Sequence, residues 1–514
     1  MLFNSYGFIL VYLPLVLGGF FLLGRRSPWL ATAFLALASL VFYGWWDVTY
    51  LPLLLGSIAF NFFVGRQVLR RREVDRPSAR VWVTAGVATN LLLLGYYKYA
   101  DFFVSNINVA LGTSLVQPGI VLPIGISFFT FTQIAYLVDA YQGKASEYEP
   151  VQYGLFVTYF PHLVAGPILH HREMMPQFRD RAIFTPVAEH VSVGVSIFVI
   201  GLFKKVVIAD GIAEYATPGF AAAAEGKSLT MSEAWFAALS YTMQLYFDFS
   251  GYSDMAVGLS RMFGVRLPLN FDSPYKASSI IEFWRRWHMT LSRFLKDYLY
   301  VPLGGSRRGP LRRHLNLFIT MVLGGMWHGA SWTFIVWGAL HGAYLVANHA
   351  WRVIRGGGPM VFGERAAYAT LTFVAVVLAW VFFRAESVGT ALEMVKAMMG
   401  WNGFGLPEAI NARLSALPGV PKEWLVAPSG TGIDLRSNFL WICACAFIAW
   451  VLPNTQQMMG RHVMGEGHVA TGLLARFPAL AWRPNAFWLA TVVALGLISM
   501  SRLNRVSEFL YFQF

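Results

Sequence analysis

Long apolar runs separated by short, mostly basic links are the dominant pattern of this chain. Such runs fall near residues 6–24, 28–46, 50–65, 81–100, 120–140, 151–169, 190–209, 232–263, 315–350, 366–384, 437–453 and 485–500. An α-helix needs about 20 apolar residues to cross a hydrocarbon layer of ~30 Å, so the pattern predicts about a dozen or more helices once the longest runs are divided. The stretch from Leu315 to Ala350 contains no Asp, Glu, Lys or Arg and is too long for one span, so it must fold back or break. Gly324, Gly325 and Gly329, in LGGMWHGASW (323–332), put the bend there, with His328 at it.

One segment breaks the pattern: FWRRWHMTLSRFLKDYLYVPLGGSRRG, from Phe283 to Gly309. At about 100° per residue, Trp284, Trp287, Leu291, Leu295 and Tyr298 share one helix face, with Arg285, Arg286, Arg293 and Lys296 on the other side. His288 lies at the edge of the apolar face. Each Arg or Lys at mid-bilayer costs ~2.5–3.5 kcal/mol on insertion scales, so the segment does not cross lipid as an isolated helix. It either lies along the interface or is buried with its polar side lining a wet cavity. The Pro- and Gly-rich flanks LPLNFDSPYKASS (267–279) and VPLGGSRRG (301–309) favour a broken, re-entrant excursion.

Composition supports the membrane reading: 56% of the 514 residues are hydrophobic and 13% charged, against about 25% charged in soluble domains. The first twenty-four residues carry no charge, which predicts a first span rather than a cleavable signal peptide. A net charge of +13 raises nucleic acid as a partner, but the cations sit in short links, as cytoplasmic loops require. Nucleic acid is therefore excluded. The link RQVLRRREVDRPSAR (66–80) is the clearest example and orients the N-terminus outward. Residues 401–438 instead mix Arg413, Lys422 and Arg436 with Glu408, Glu423 and Asp434, and read as an external loop. No repeat or soluble module is evident, so residues 1–514 are expected to form one integral-membrane domain with a catalytic core at 265–350. Cys443 and Cys445, one residue apart in an apolar run, read as packing residues.

Intramembrane ionisable residues are functional candidates by default. Asp248 and Asp254, in LYFDFSGYSDMA, each need an Arg, a hydrogen-bond network or a water path, and a structural role near the site is favoured for them. His162, His170 and His171 have no carboxylate or Cys at metal-ligand spacing, so no metal is expected. His341, in WGALHGAYL, reads as a packing residue.

Taken together, LVAGPI (163–168), QLYFDFSGYSDMAVGLSRMFG (244–264), FWRRWHMTLSRFLKDYLYVPLGG (283–305), GGMWHGASWTFIVWGALHG (324–342) and the tail FLYFQF (509–514) resemble the membrane-bound O-acyltransferases. Within that family they are most similar to the bacterial alginate O-acetylation branch. The resemblance covers essentially the whole chain. It implies an all-α polytopic fold in which transmembrane and re-entrant helices ring a central tunnel. It also implies that His328 is the catalytic histidine and that His288 fills the second signature position, where many eukaryotic relatives carry Asn. The implied activity is transfer of acetyl from a cytosolic thioester, acetyl-CoA as substrate with no bound cofactor, across the bacterial inner membrane. Periplasmic acetyl-accepting or acetyltransferase proteins and an exported polysaccharide such as alginate or cellulose would follow. D-alanyl transfer to teichoic acid from a carrier-protein thioester, and a transporter with a His/Asp proton relay, are the alternatives.

For acyl transfer, His328 is the expected base. The thioester oxyanion needs a donor, and His288, a Trp indole N–H or a free backbone amide at the glycine bend are candidates, His288 first. Trp284, Arg285, Arg286, Arg293, Trp327 and Asp248 complete the expected substrate site, with Lys296, Arg307 and Arg308 adding to a basic mouth for an anionic donor.

Overall fold

The computed structural model describes all residues except 148, 165, 357–360, 407, 417–420, 422–424, 428–433, 465–471, 505–509 and 511–514. Parts of the expected external loop, and all of the tail motif but Leu510, thus lie outside the described residues. Among the described residues there are helices and turns but no strand. Backbone polar groups in lipid must find partners within their own segment, and an α-helix provides them. Four helices, Gly7–Gly24, Val48–Arg71, Ala188–Ala224 and Gly363–Arg384, are long and apolar enough to cross a bilayer, and Pro28–Gly44, Leu435–Trp450 and Ala486–Arg502 are shorter apolar helices. The chain is a polytopic, all-helical membrane protein.

Two expectations about the runs fail. The run at 151–169 does not form a span: the helix Pro150–Thr158 stops, and a single turn, Phe160–Leu163, follows. Pro161 offers no N–H to continue the ladder, and a Cβ on Gly166 would come 2.4 Å from the His162 Cα. The run at 232–263 is undivided and forms one helix, Met231–Met262, of 32 residues, about 48 Å long at 1.5 Å per residue.

The chain is organised in two compact units. The first comprises residues 1–203, 251–270 and 455–506. Its core is aromatic: Phe3 packs on Phe8, Phe42 and Tyr252, and Phe20 on Phe263. Ala188–Phe203 crosses the end of Met231–Met262 at glycines, where a Cβ on Gly194 or Gly201 would lie 2.6 Å from the carbonyl oxygen of Gly258 or Gly251. Close backbone approach at small residues is how helices associate where no hydrophobic force acts between them. Polar side chains in this unit pair with each other: Asn61 and Asn90 exchange amide hydrogen bonds of 3.1 and 2.6 Å, and Gln133 donates to Ser57.

The second unit comprises residues 204–250, 271–454 and 507–514. Its centre is a helical hairpin in which Gly309–His328 packs on Trp332–Arg355. The hairpin turns where the charge-free run was expected to break. Gly329 is extended, and Ser331 caps the next helix by accepting from the Thr333 amide. Gly325 does not bend the chain. It lets the two helices touch, because a Cβ there would come 2.2 Å from the Phe334 carbonyl oxygen, and one on Gly338 2.4 Å from that of Met321.

The basic, Trp-rich segment is not the continuous helix that the wheel assumes. Ile280–Arg286 and Met289–Leu295 are separate helices, followed by a π-helical turn at Lys296–Tyr300. Between the first two, Trp287 is extended and His288 left-handed, with φ 41° and ψ 55°. Trp284, Trp287, Leu291 and Leu295 are nonetheless all buried, each half contributing its own apolar side.

Candidate active site

The break in the basic segment and the end of the hairpin's first helix present one imidazole each. His288 is the N-terminal cap residue of Met289–Leu295, and its carbonyl accepts from the Ser292 amide. Its backbone conformation is unusual for a residue with a Cβ. Among the described non-glycine residues only Ser273 shares a positive φ. The His288 ring is fully buried, and Phe249 meets it edge-on at 4.8 Å between centroids.

His328 is the last residue of Gly309–His328 and is 8% exposed. Its ring lies 5.0 Å from each of Trp327, Trp337 and Phe383. Trp327 also lies 6.2 Å from His288, so one indole stands against both imidazoles. The structure thus brings the two sequence-predicted histidines to a shared aromatic wall, forty residues apart in the chain.

His341, expected to be a packing residue, is also part of this wall. It is fully buried on Trp332–Arg355, one turn after Trp337, whose ring it meets at 4.8 Å. The Trp284 indole donates to His341 Nδ1 at 3.3 Å. A neutral imidazole that accepts at Nδ1 carries its proton at Nε2. Among the described residues that Nε2 has no hydrogen-bond partner, and neither has Trp337 Nε1. Trp380 and Phe383 close the box, at 5.7 and 5.2 Å from Trp337. Trp337, Trp380 and Phe383 were missed in the sequence because aromatic residues in apolar runs look like ordinary core. Only the four-residue spacing of Trp337 and His341 hints at a shared face.

A cavity of about 860 Å³ opens beside the same elements. Arg285 and Arg286 line it, joined by Arg352, Arg355, Trp351 and Tyr368. Arg293, Lys296, Arg307 and Arg308 are not among its lining residues. Arg355 forms a two-pronged pair with Glu364, and Arg286 binds Glu282 at 2.9 Å. Burial pushes the Glu282 carboxyl up, but hydrogen bonds from Ser278 and the charge of Arg286 outweigh it and hold the group below its ordinary value. Arg285 and Arg352, both exposed, pair with no carboxylate among the described residues. Both guanidiniums line the cavity.

The remaining ionisable candidates have polar partners of their own. Asp248 is bound by Lys205 at 2.5 Å, and Lys205 also holds Asp210 at 2.7 Å. The partner of Asp248 is therefore a lysine on the π-helical turn Lys204–Ala209. Phe249, the next residue, is what touches His288. Asp254 accepts from the Thr455 hydroxyl at 2.5 Å and the Gln456 amide at 3.0 Å. His162 Nε2 lies 3.0 Å from the Phe156 carbonyl. His170 faces Asp139 at 3.5 Å and His171 faces Glu147 at 3.2 Å, so each of these two has a carboxylate of its own. Cys443 is exposed and Cys445 buried, both as free thiols.

The site thus holds two buried imidazoles against one indole, beside a cavity lined by four arginines together with Asp272 and Glu282. Comparison with known proteins gives the class. The membrane-bound O-acyltransferase family pattern matches residues 102–384. A peptidoglycan O-acetyltransferase of Helicobacter pylori is 45% identical over 79% of this chain and 81% of its own length. A "probable alginate O-acetylase" of Azotobacter vinelandii is 38% identical over the whole of both chains, and one of Pseudomonas aeruginosa is 42% identical over 81% of this chain and 78% of its own. The chain belongs to the membrane-bound O-acyltransferase family and is an acyltransferase.

Proposed function

We propose that the protein is an O-acetyltransferase of the bacterial inner membrane. It takes acetyl from a cytosolic thioester, acetyl-CoA, and passes it across the membrane for O-acetylation of an exported polysaccharide. The whole chain acts as one acyltransferase domain. Periplasmic proteins that accept or relay the acetyl group are its expected partners. Relatives named for alginate and for peptidoglycan support a glycan acceptor in the exported envelope. The teichoic acid D-alanyltransferases are more distant, at 28% and 29% identity over 44% and 42% of this chain. The observation that carries the reading is the placement of His288 and His328 against Trp327.

In the proposed reaction His328 takes the proton of the acceptor hydroxyl as its oxygen attacks the thioester carbonyl carbon, and the carbonyl π electrons move onto oxygen. The intermediate collapses, re-forming the C=O bond and expelling the thiolate. The thiolate then recovers the proton from His328 and leaves as a thiol. His288, its ring fixed by burial and a left-handed backbone, orients the acceptor opposite His328. Arg285 and Arg352 hold the donor's phosphates in the cavity, where guanidinium forks match phosphate geometry, and Trp351 and Tyr368 offer aromatic surface to its base.

The test is to reconstitute the purified protein in liposomes with acetyl-CoA and compare it with His328→Ala. Acetyl transfer that disappears in a folded His328→Ala supports the reading. Equal turnover in both would overturn the assignment of His328, and transfer from a carrier-protein thioester but not from acetyl-CoA would overturn the donor.

A further inference from the structure

We infer that Trp337 Nε1–H and His341 Nε2–H form the hole that holds the thioester oxygen as it becomes an oxyanion. The inference rests on the acyl-transfer reading above and assigns a role to two residues beyond the histidine pair. Both side chains are inaccessible, at 1% and 0% exposure, and both N–H groups lack an acceptor among the described residues. A buried donor left unsatisfied costs the desolvation of its N–H, a cost that native structures seldom carry without reason. Two such donors lie one helical turn apart, and the Trp337 ring is 5.0 Å from His328. A carbonyl oxygen arriving there would satisfy them.

The tautomer follows from the surroundings. Trp284 Nε1–H points at His341 Nδ1, so the neutral ring must present N–H at Nε2. Trp284 is thereby a positioning residue, and Trp380 and Phe383 wall the box against water. Donors set in a dry site need no reorganisation as charge develops on the oxygen, which is why such holes act on the transition state more than on ground-state binding. The step is the one written above: as the hydroxyl oxygen bonds to the carbonyl carbon, the C=O π pair becomes the lone pair these donors receive. On collapse that pair re-forms the double bond, and the thiolate departs.

Trp337→Phe deletes one donor and keeps an aromatic ring. In liposomes with acetyl-CoA we expect kcat to fall about 10²–10³-fold, the loss typical of one oxyanion donor, with KM nearly unchanged. His341→Phe should fall similarly, while His341→Gln, whose amide reaches the Nε2 position, should recover much of the loss. A second readout does not depend on turnover. In the His328→Ala background, isotope-edited infrared of acetyl-CoA labelled at the carbonyl carbon should show a lowered C=O stretch that moves back toward the free value when Trp337→Phe is added. A Trp337→Phe or His341→Phe protein that folds and keeps kcat within about threefold of the parent would overturn the assignment. So would a carbonyl band indifferent to both residues. Absence of His328-dependent turnover in the parent would instead count against the acyl-transfer reading, and the infrared shift would still judge the donors.

Discussion

His171 and His341 are equally deep in the protein and differ in what surrounds them. In the first unit His171 faces the Glu147 carboxylate at 3.2 Å, and Arg179 approaches the same carboxylate at 3.8 Å. Asp254 is bound by Thr455 and Gln456, and Asn61 by Asn90, in the same manner. In the second unit His341 receives one hydrogen bond and leaves its other nitrogen without a partner, one turn from Trp337, whose N–H is equally unused. Buried polar groups that satisfy each other stabilise a fold inside lipid. The two donors of Trp337 and His341, which lack a partner among the described residues, are the ones we infer meet a substrate. On the proposed function, the contrast separates a polar network that holds helices together from donors that meet a substrate.

The largest effect expected from this contrast is on turnover. His328→Ala should reduce acetyl transfer by about 10²–10⁴-fold, the usual share of a general base, with no matching change in thermal unfolding in detergent. A parallel loss of thermal stability would place His328 in the structural class with His171. Glycine replacements come next. Gly201→Val and Gly338→Val each force a side chain against a backbone carbonyl, and overpacking costs about 1–3 kcal/mol. The first should lower the yield of folded protein and leave its specific activity intact, whereas the second should depress specific activity too, because it displaces the helix carrying Trp337 and His341. Equal specific activities in the two variants would erase the distinction between the units.

A smaller effect is expected from His171→Phe, which removes one partner of the buried Glu147 carboxylate. Stability should drop by about 1–3 kcal/mol, and adding Glu147→Gln should restore part of it. Unfolding curves of the single and double variants measure this directly, and a kcat change in the folded single variant would contradict a purely structural pair. The smallest effect concerns the cavity. Arg285→Ala with Arg352→Ala should raise the acetyl-CoA KM about tenfold at unchanged kcat, as loss of uniform binding predicts. A fall in kcat instead would move those guanidiniums into the reacting centre.

Much of this could be read from the residues in order. The apolar runs predicted helices, and the charge-free stretch 315–350 predicted its own break, because hydrophobicity and glycine placement act locally and sum along the chain. His288 and His328 stood out for the same local reason: an imidazole flanked by Trp, beside Arg or Gly, is unusual inside an apolar body. The wheel drawn through residues 284–298 failed because a helical period holds only while the backbone stays helical, and Trp287 and His288 leave it. The short helix at Pro150–Thr158 was missed because hydropathy counts apolar residues and does not register where Pro161 interrupts the hydrogen-bond ladder.

The sequence alone therefore determined that this is a helical membrane protein and where its charge-free run 315–350 breaks, and it singled out the two histidines that the structure sets against one indole. Only the tertiary structure decided which buried polar groups find each other. Thr455 reaches Asp254 from 201 residues away and Trp284 reaches His341 across 57. Such partnerships are fixed by how helices pack. No periodicity along the chain records them, and none records the donors of Trp337 and His341 that lack a partner among the described residues.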